Sequence, residues 1–99
     1  MYITFLYYYP LDYENLGCWQ DKHDRAMHVI TWRLDPPDVI HKCLQLAKEK
    51  GKKVFGLQNL ECFWGEDDDS YQKHGRSFNC NDEGTGGGWA LQVYRIQGR

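Results

Sequence analysis

"DPPDVIHKCLQLAKEKG", residues 35–51, decides the fold. Val39, Ile40, Cys43, Leu44, Leu46 and Ala47 recur at helical spacing, so a single helix carries one apolar stripe that must find a core. Asp35 is the expected N-cap, Pro36 the first helical residue, and Asp38 sits in the first turn, where its charge favours the helix dipole. Lys48 and Lys50 suit the last turn, and Gly51 the position just beyond it.

Downstream, "KKVFGLQ" predicts a strand, and "NLECFWG" continues it after a turn or bulge. On a two-residue period Cys62 and Trp64 share one face and Phe63 points the other way. "GEDDDS" reads as exposed loop, and "SYQKHG" as a single helical turn ending at Gly75. In "GTGGGWALQVYRI", residues 84–96, the glycines predict a tight turn with positive φ and a close approach to a neighbouring backbone. They lead Trp89 into a last strand beside the one around Cys18, with Trp89, Leu91 and Val93 on the more apolar face, opposite Ala90, Gln92 and Tyr94. A phosphate cradle is the rival reading of these glycines. It lacks a following Gly-Lys-[Ser/Thr], and a strand rather than a helix comes next.

Upstream of the helix, "YITFLYYY" is β-branched and aromatic until Pro10 stops it, a strand covered on both sides or an interface. Residues 16–20 predict another short strand, and residues 21–33 a loop with one short strand at His28–Trp32. Residues 1–15 thus form an N-terminal strand and lead-in, and residues 16–96 the domain proper. One helix among several strands is most economically α+β: an amphipathic helix packed on a small, mostly antiparallel sheet.

Ninety-nine residues fit one domain with a modest core, so covalent staples are valuable. Aromatic residues, 15% of the chain, add burial efficiently at that size. Cys18, Cys43, Cys62 and Cys80 form no C-x-x-C pair and match no zinc spacing, which points to two disulfides, with reduced core cysteines as the alternative. Cys43 lies on the helix stripe and Cys62 on the next strand; a bond between them ties helix to sheet and stabilises by about 3 kcal/mol. Cys18 and Cys80 then clamp the domain's beginning to its end. Disulfides imply an oxidising, extracellular setting. The N-terminus has no basic region or small-residue cleavage site, so Met1 reads as the start of a piece excised from a larger protein. A formal charge of −2 gives no argument for nucleic acid, and no apolar run is long enough for membrane insertion.

"LGCWQDKHDRAM" resembles the opening of WSC domains, extracellular modules named after yeast cell-wall stress sensors, through Gly17, Cys18, Trp19, Asp21 and Arg25. The helical Cys43, the glycine after it and "VFGLQNLECFWG" are similar to the family's middle, and "GGGWALQVYRI" to its ending, so the likeness spans residues 16–96. Four cysteines stand where the family usually has eight: none lies near Leu46 or Ala47 for the helix's second, Trp64 occupies a Cys position, and so does Gly86. An even loss is what shedding whole bridges leaves. The resemblance implies a PAN/apple-like arrangement of helix on curved sheet and a non-catalytic extracellular module that binds carbohydrate, a cell-surface or matrix glycan. The alternative is a protein-interaction or spacer module, self-associating through "YITFLYYY".

Sugar binding needs a flat aromatic face for the C–H surface and planar polar side chains for hydroxyls. Trp32, Trp64, Tyr71, Asp67 and Asp69 are the candidate ligand-binding residues. Against that, Trp64 shares the face of Cys62 and is better placed to fill the volume of a missing disulfide, and Trp19 and Trp89 are expected in the core. No cofactor is expected; "EDDDS" supplies carboxylates that could hold calcium, but the run lacks EF-hand spacing and reads as a solvated face. Asp21, Asp24 and Arg25 suggest an ion pair or loop hydrogen bonds. The four histidines show no paired metal spacing, and there is no nucleophile elbow or zinc-protease motif, so no catalytic residues are expected.

Overall fold

A computed structural model describes residues 13–97; the expected strand "YITFLYYY" lies outside them. Five strands, β1 (Tyr13–Gln20), β2 (His28–Thr31), β3 (Val54–Gln58), β4 (Glu61–Gly65) and β5 (Ala90–Ile96), form one sheet in the order β1-β5-β3-β4-β2. Every neighbouring pair is antiparallel. One helix, α1 (Val39–Glu49), packs on this sheet, and Ser70–Gln72 form a single 3₁₀ turn. The chain is therefore a disulfide-stapled α+β fold.

The helix buries Val39, Cys43, Leu44 and Ala47, four of the six stripe residues, while Ile40 and Leu46 flank them half-buried. Its start differs from expectation. Asp38, not Asp35, is the N-cap; it has a left-handed φ of 60° and makes no side-chain capping bond. Asp35 and Pro36 each precede a proline, which pushes both out of the helical region, so the helix cannot begin until Pro37 is passed. Its end agrees with expectation. Gly51, with φ 72°, donates to the Lys48 carbonyl and Lys52 to that of Ala47, closing the last turn through the reciprocal bonds of a Schellman cap.

The helix-side core joins those residues to Phe55, Leu57, Cys62 and Tyr94, with Phe55 stacked on Tyr94 at 5.2 Å. Cys43 and Cys62 are bonded and fully buried, their Cα atoms 5.5 Å apart. On the opposite face Trp19, Met27, Val54, Phe63, Tyr71, Leu91 and Val93 form a second core. Loops rather than a helix cover it. That second cover explains why β5 shows no polar face: Ala90 through Tyr94 are all buried.

The first and last strands are neighbours, as the sequence predicts, with Gly17 opposite Val93 and Trp19 opposite Leu91. The strand expected at 16–20 begins three residues earlier, at Tyr13. Its outer edge is partly covered by residues 75–77: Gln20 donates to the Gly75 carbonyl, and Ser77 to that of Cys18. Capping an edge this way blunts it against pairing with another chain. Cys18–Cys80 fastens the same region, Cα to Cα 6.1 Å. Beyond it, Gly86 has φ 77°, and an added Cβ would stand 2.1 Å from the Leu57 carbonyl oxygen. Only glycine allows residues 84–88 to lie this close to β3, the close approach expected of the glycine run.

Candidate functional site

β1 ends at Gln20, and the next residue organises the site. Asp21 is 1% exposed. Its backbone N–H donates to the Trp89 carbonyl at 2.9 Å, fixing the residue just before β5. Its Oδ1 accepts the Ala26 N–H at 2.9 Å and closes the loop 21–26. Its Oδ2 accepts Arg25 Nη1 at 2.9 Å and Gln58 Nε2 at 2.6 Å. A buried carboxylate is tolerable only with such partners, and here they come from two separate stretches of chain, residues 25–26 and Gln58. The expectation of a structural ion pair at Asp21 and Arg25 holds. Asp24 instead pairs with Lys73 at 3.0 Å, and that hydrogen-bonded ammonium holds its carboxyl below the usual range.

Arg25, pinned by Asp21, places its guanidinium carbon 4.8 Å from the Trp89 ring centre, 5.4 Å from that of Trp32 and 5.9 Å from that of Phe63. Contacts of this kind contribute about 0.5–2 kcal/mol each and fix the rings' orientation as well. Trp32, directly after β2, stands edge-on to Phe63 and is 56% exposed. Trp89 is 44% exposed, with His23 tilted against its ring at 4.9 Å. These tryptophans and Arg25 line a cleft of about 460 Å³, whose walls are Arg33, Gln58, Asn59, Glu61 and the backbone of Gly87 and Gly88.

Trp89 is a correction to the sequence reading, which put it in the core. Its φ is 53°, so the backbone turns left-handed there and the side chain leaves the alternation that Leu91 and Val93 obey. A bulky residue at positive φ is an outlier worth about 1–3 kcal/mol of strain, and such outliers gather at functional sites.

Of the five candidate ligand residues, the cleft takes in Trp32 alone. Tyr71 is 5% exposed and packs edge-on to Trp19 in the second core, so it offers no ligand surface. Trp64 is half-buried and belongs to neither core. His28 stacks on it at 4.1 Å, and the Lys52 ammonium stands 4.0 Å from its centre, so the ring is already engaged by protein partners. Asp67 pairs with Arg95. Asp69 is exposed and gives its carbonyl to the Gln72 N–H that starts the 3₁₀ turn. Asp68 between them accepts hydrogen bonds from Ser70, which hold its carboxyl below the usual range. Among the described residues no three His, Cys, Asp or Glu side chains converge on a point where a metal ion would sit.

Sequence reasoning missed Trp89, Arg33, Glu61 and the ring-stacked role of Arg25. One signal was present: a tryptophan placed straight after three glycines is where a backbone reversal throws a side chain outward. No protein-family model matches the chain. No curated protein matches it either.

Proposed function

We propose that the chain is a non-catalytic carbohydrate-binding module of an extracellular protein, and that the Trp32–Arg25–Trp89 cleft is its sugar site. One observation carries the reading: two exposed indoles are held by a pinned guanidinium, with planar polar side chains around them. A pyranose lays its C–H face on an indole and presents hydroxyls to Asn59 and Glu61. Apolar platforms with a few placed polar groups are how small-molecule sites obtain both affinity and orientation. The sequence resemblance to WSC-like modules supports the same reading. The two disulfides, and the lack of any helix among the described residues long and apolar enough to cross a membrane, are compatible with a secreted or extracellular domain.

A glycan array followed by calorimetric titration tests the proposal. Expected are hits with millimolar or tighter Kd that Trp32→Ala or Trp89→Ala weakens by about tenfold, the usual size of a loss at an anchoring aromatic. Silence across the array at millimolar sugar overturns it.

A second reading, a protein-interaction or spacer module, rests on Phe78, which is 98% exposed, and on Val29, exposed on the outer strand β2. Sedimentation at rising concentration separates the two readings. Self-association that Phe78→Ser abolishes favours the second; a strict monomer that binds sugar favours the first.

A further inference from the structure

Resting on the sugar-site reading, we infer that the cleft selects a sugar bearing a carboxylate, a hexuronic acid unit, with the acid group facing Arg25 and Arg33. Arg25 spends one guanidinium nitrogen on Asp21, and its other N–H groups meet no protein acceptor among the described residues. Its side chain is nonetheless 33% exposed and fixed in place by the flanking rings, so those donors are already aimed before any ligand arrives. Arg33 follows Trp32 on the wall, exposed; among the described residues only its backbone is engaged, with the Thr31 hydroxyl. Two guanidinium forks beside a stacking ring match a carboxylate's paired oxygens in a way that neutral hydroxyls do not.

The glycines of the cleft wall give independent support. Gly87 is demanded by packing, since an added Cβ would lie 2.0 Å from the Asn79 carbonyl oxygen. Gly88 is not. Its φ lies outside the left-handed region, and among the described residues a Cβ there would meet only Asn79 Nδ2, 4.0 Å away. The fold leaves room for a side chain at 88, yet the position is bare where it borders the cleft. Glycine at such a place lets a ligand approach the backbone closely.

Charge narrows the ligand further. Asp21 neutralises Arg25, and Glu61 on the wall offsets Arg33, so the cleft presents aimed donors without a strong positive field. The chain as a whole carries −2. That arrangement suits a single carboxylate on an otherwise neutral sugar face, with Glu61 accepting hydroxyl protons. It does not suit a densely sulfated polyanion, which a basic field would have to attract.

The experiment is a tryptophan-fluorescence titration with trigalacturonate and with glucuronate, each against its neutral counterpart, galactotriose and glucose. In the native chain the acidic sugar binds about tenfold more tightly than the neutral one, the worth of one charge-assisted hydrogen-bonded pair. Arg33→Gln brings the paired Kd values together, and Gly88→Ala weakens the uronates severalfold while the melting temperature holds. Equal affinity for acidic and neutral sugars, or uronate binding indifferent to both substitutions, overturns the acid-sugar assignment and leaves the carbohydrate reading standing. Tightest binding to heparin with a steep loss in salt also overturns the assignment. No response to any of these sugars sinks the assignment, and if the glycan array is silent too, the carbohydrate reading falls with it.

Discussion

The two faces of the sheet are closed by different means. On one, a regular helix lays an apolar stripe over Phe55, Leu57 and Tyr94 and is bolted down through the fully buried Cys43–Cys62 bond. On the other, loops fold over Trp19, Phe63 and Leu91, held by the half-exposed Cys18–Cys80 bond at the rim and by the Asp21 carboxylate inside. The helix face is stabilised by periodic burial that any amphipathic helix would supply. The loop face depends on single contacts between residues far apart in the chain, such as Asp21 with Gln58 and with Trp89. Irregular backbone is what lets side chains point outward, and the cleft sits at that irregular face's margin.

Removing each staple gives the largest effects and tests the contrast. In chain-entropy terms, replacing Cys18 and Cys80 by alanine, across a separation of 62 residues, costs about 4 kcal/mol. The same change at Cys43 and Cys62, separated by 19, costs about 3 kcal/mol. Chemical denaturation checks both. If the buried pair proves much the costlier, packing around the sulfurs rather than chain constraint governs the helix face.

Asp21→Ala comes next. It strands Gln58, the Ala26 N–H and the pinned guanidinium together, and is expected to cost about 3 kcal/mol. It also frees Arg25 from its position between the rings, so tryptophan emission shifts. A loss under about 1 kcal/mol, the worth of one ordinary hydrogen bond, would show that the loop face does not depend on this carboxylate.

Tyr94 sharpens the comparison from the helix side. Its hydroxyl donates to the Gly84 carbonyl at 2.7 Å, and burial, reinforced by Tyr13, raises its pKa to about 12 from the usual value of 10.0. Below about pH 10 the phenol is protonated in both folded and unfolded chains, so stability does not change on its account. Between about pH 10 and 12 the unfolded chain sheds the proton first, and stability falls as pH rises. Tyr94→Phe is expected to cost about 1 kcal/mol at neutral pH and to flatten the fall above pH 10. A spectrophotometric phenol titration beside pH-dependent melting follows both.

The smallest effect on stability belongs to Trp32→Ala, within about 1 kcal/mol, because the ring is mostly in solvent and loses chiefly its contacts with Phe63 and Arg25. A large loss of stability would make the indole a structural residue and weaken its assignment to a ligand.

The same contrast governs what could be read from sequence. The helix, both disulfide pairings, the neighbouring of first and last strands and the close approach at the glycines were legible, because helical and two-residue periods report directly on burial. The helix start was not, since Pro37 acts on Pro36 and a cap signal at Asp35 looks complete without it. Trp89 was misplaced because its alternation with Leu91 and Val93 is in phase, and one left-handed residue cancels the phase. Tyr71 looked accessible beside an acidic loop, yet the 3₁₀ turn rolls it beneath Trp19. Of the cleft, Trp32 was identified and the Asp21–Arg25 pair was read correctly as structural. The stacking of Arg25 between rings from residues 32 and 89 is a tertiary contact, and no local pattern encodes it.

The most direct test follows the four indole N–H signals in a ¹H–¹⁵N spectrum as an oligosaccharide hit is added. The Trp32–Arg25–Trp89 cleft predicts that the Trp32 and Trp89 signals move together along one binding curve, while those of Trp19, which is buried, and Trp64, which lies outside the cleft, stay put. Movement led by Trp64, or saturating binding with Trp32 and Trp89 unmoved, would contradict it.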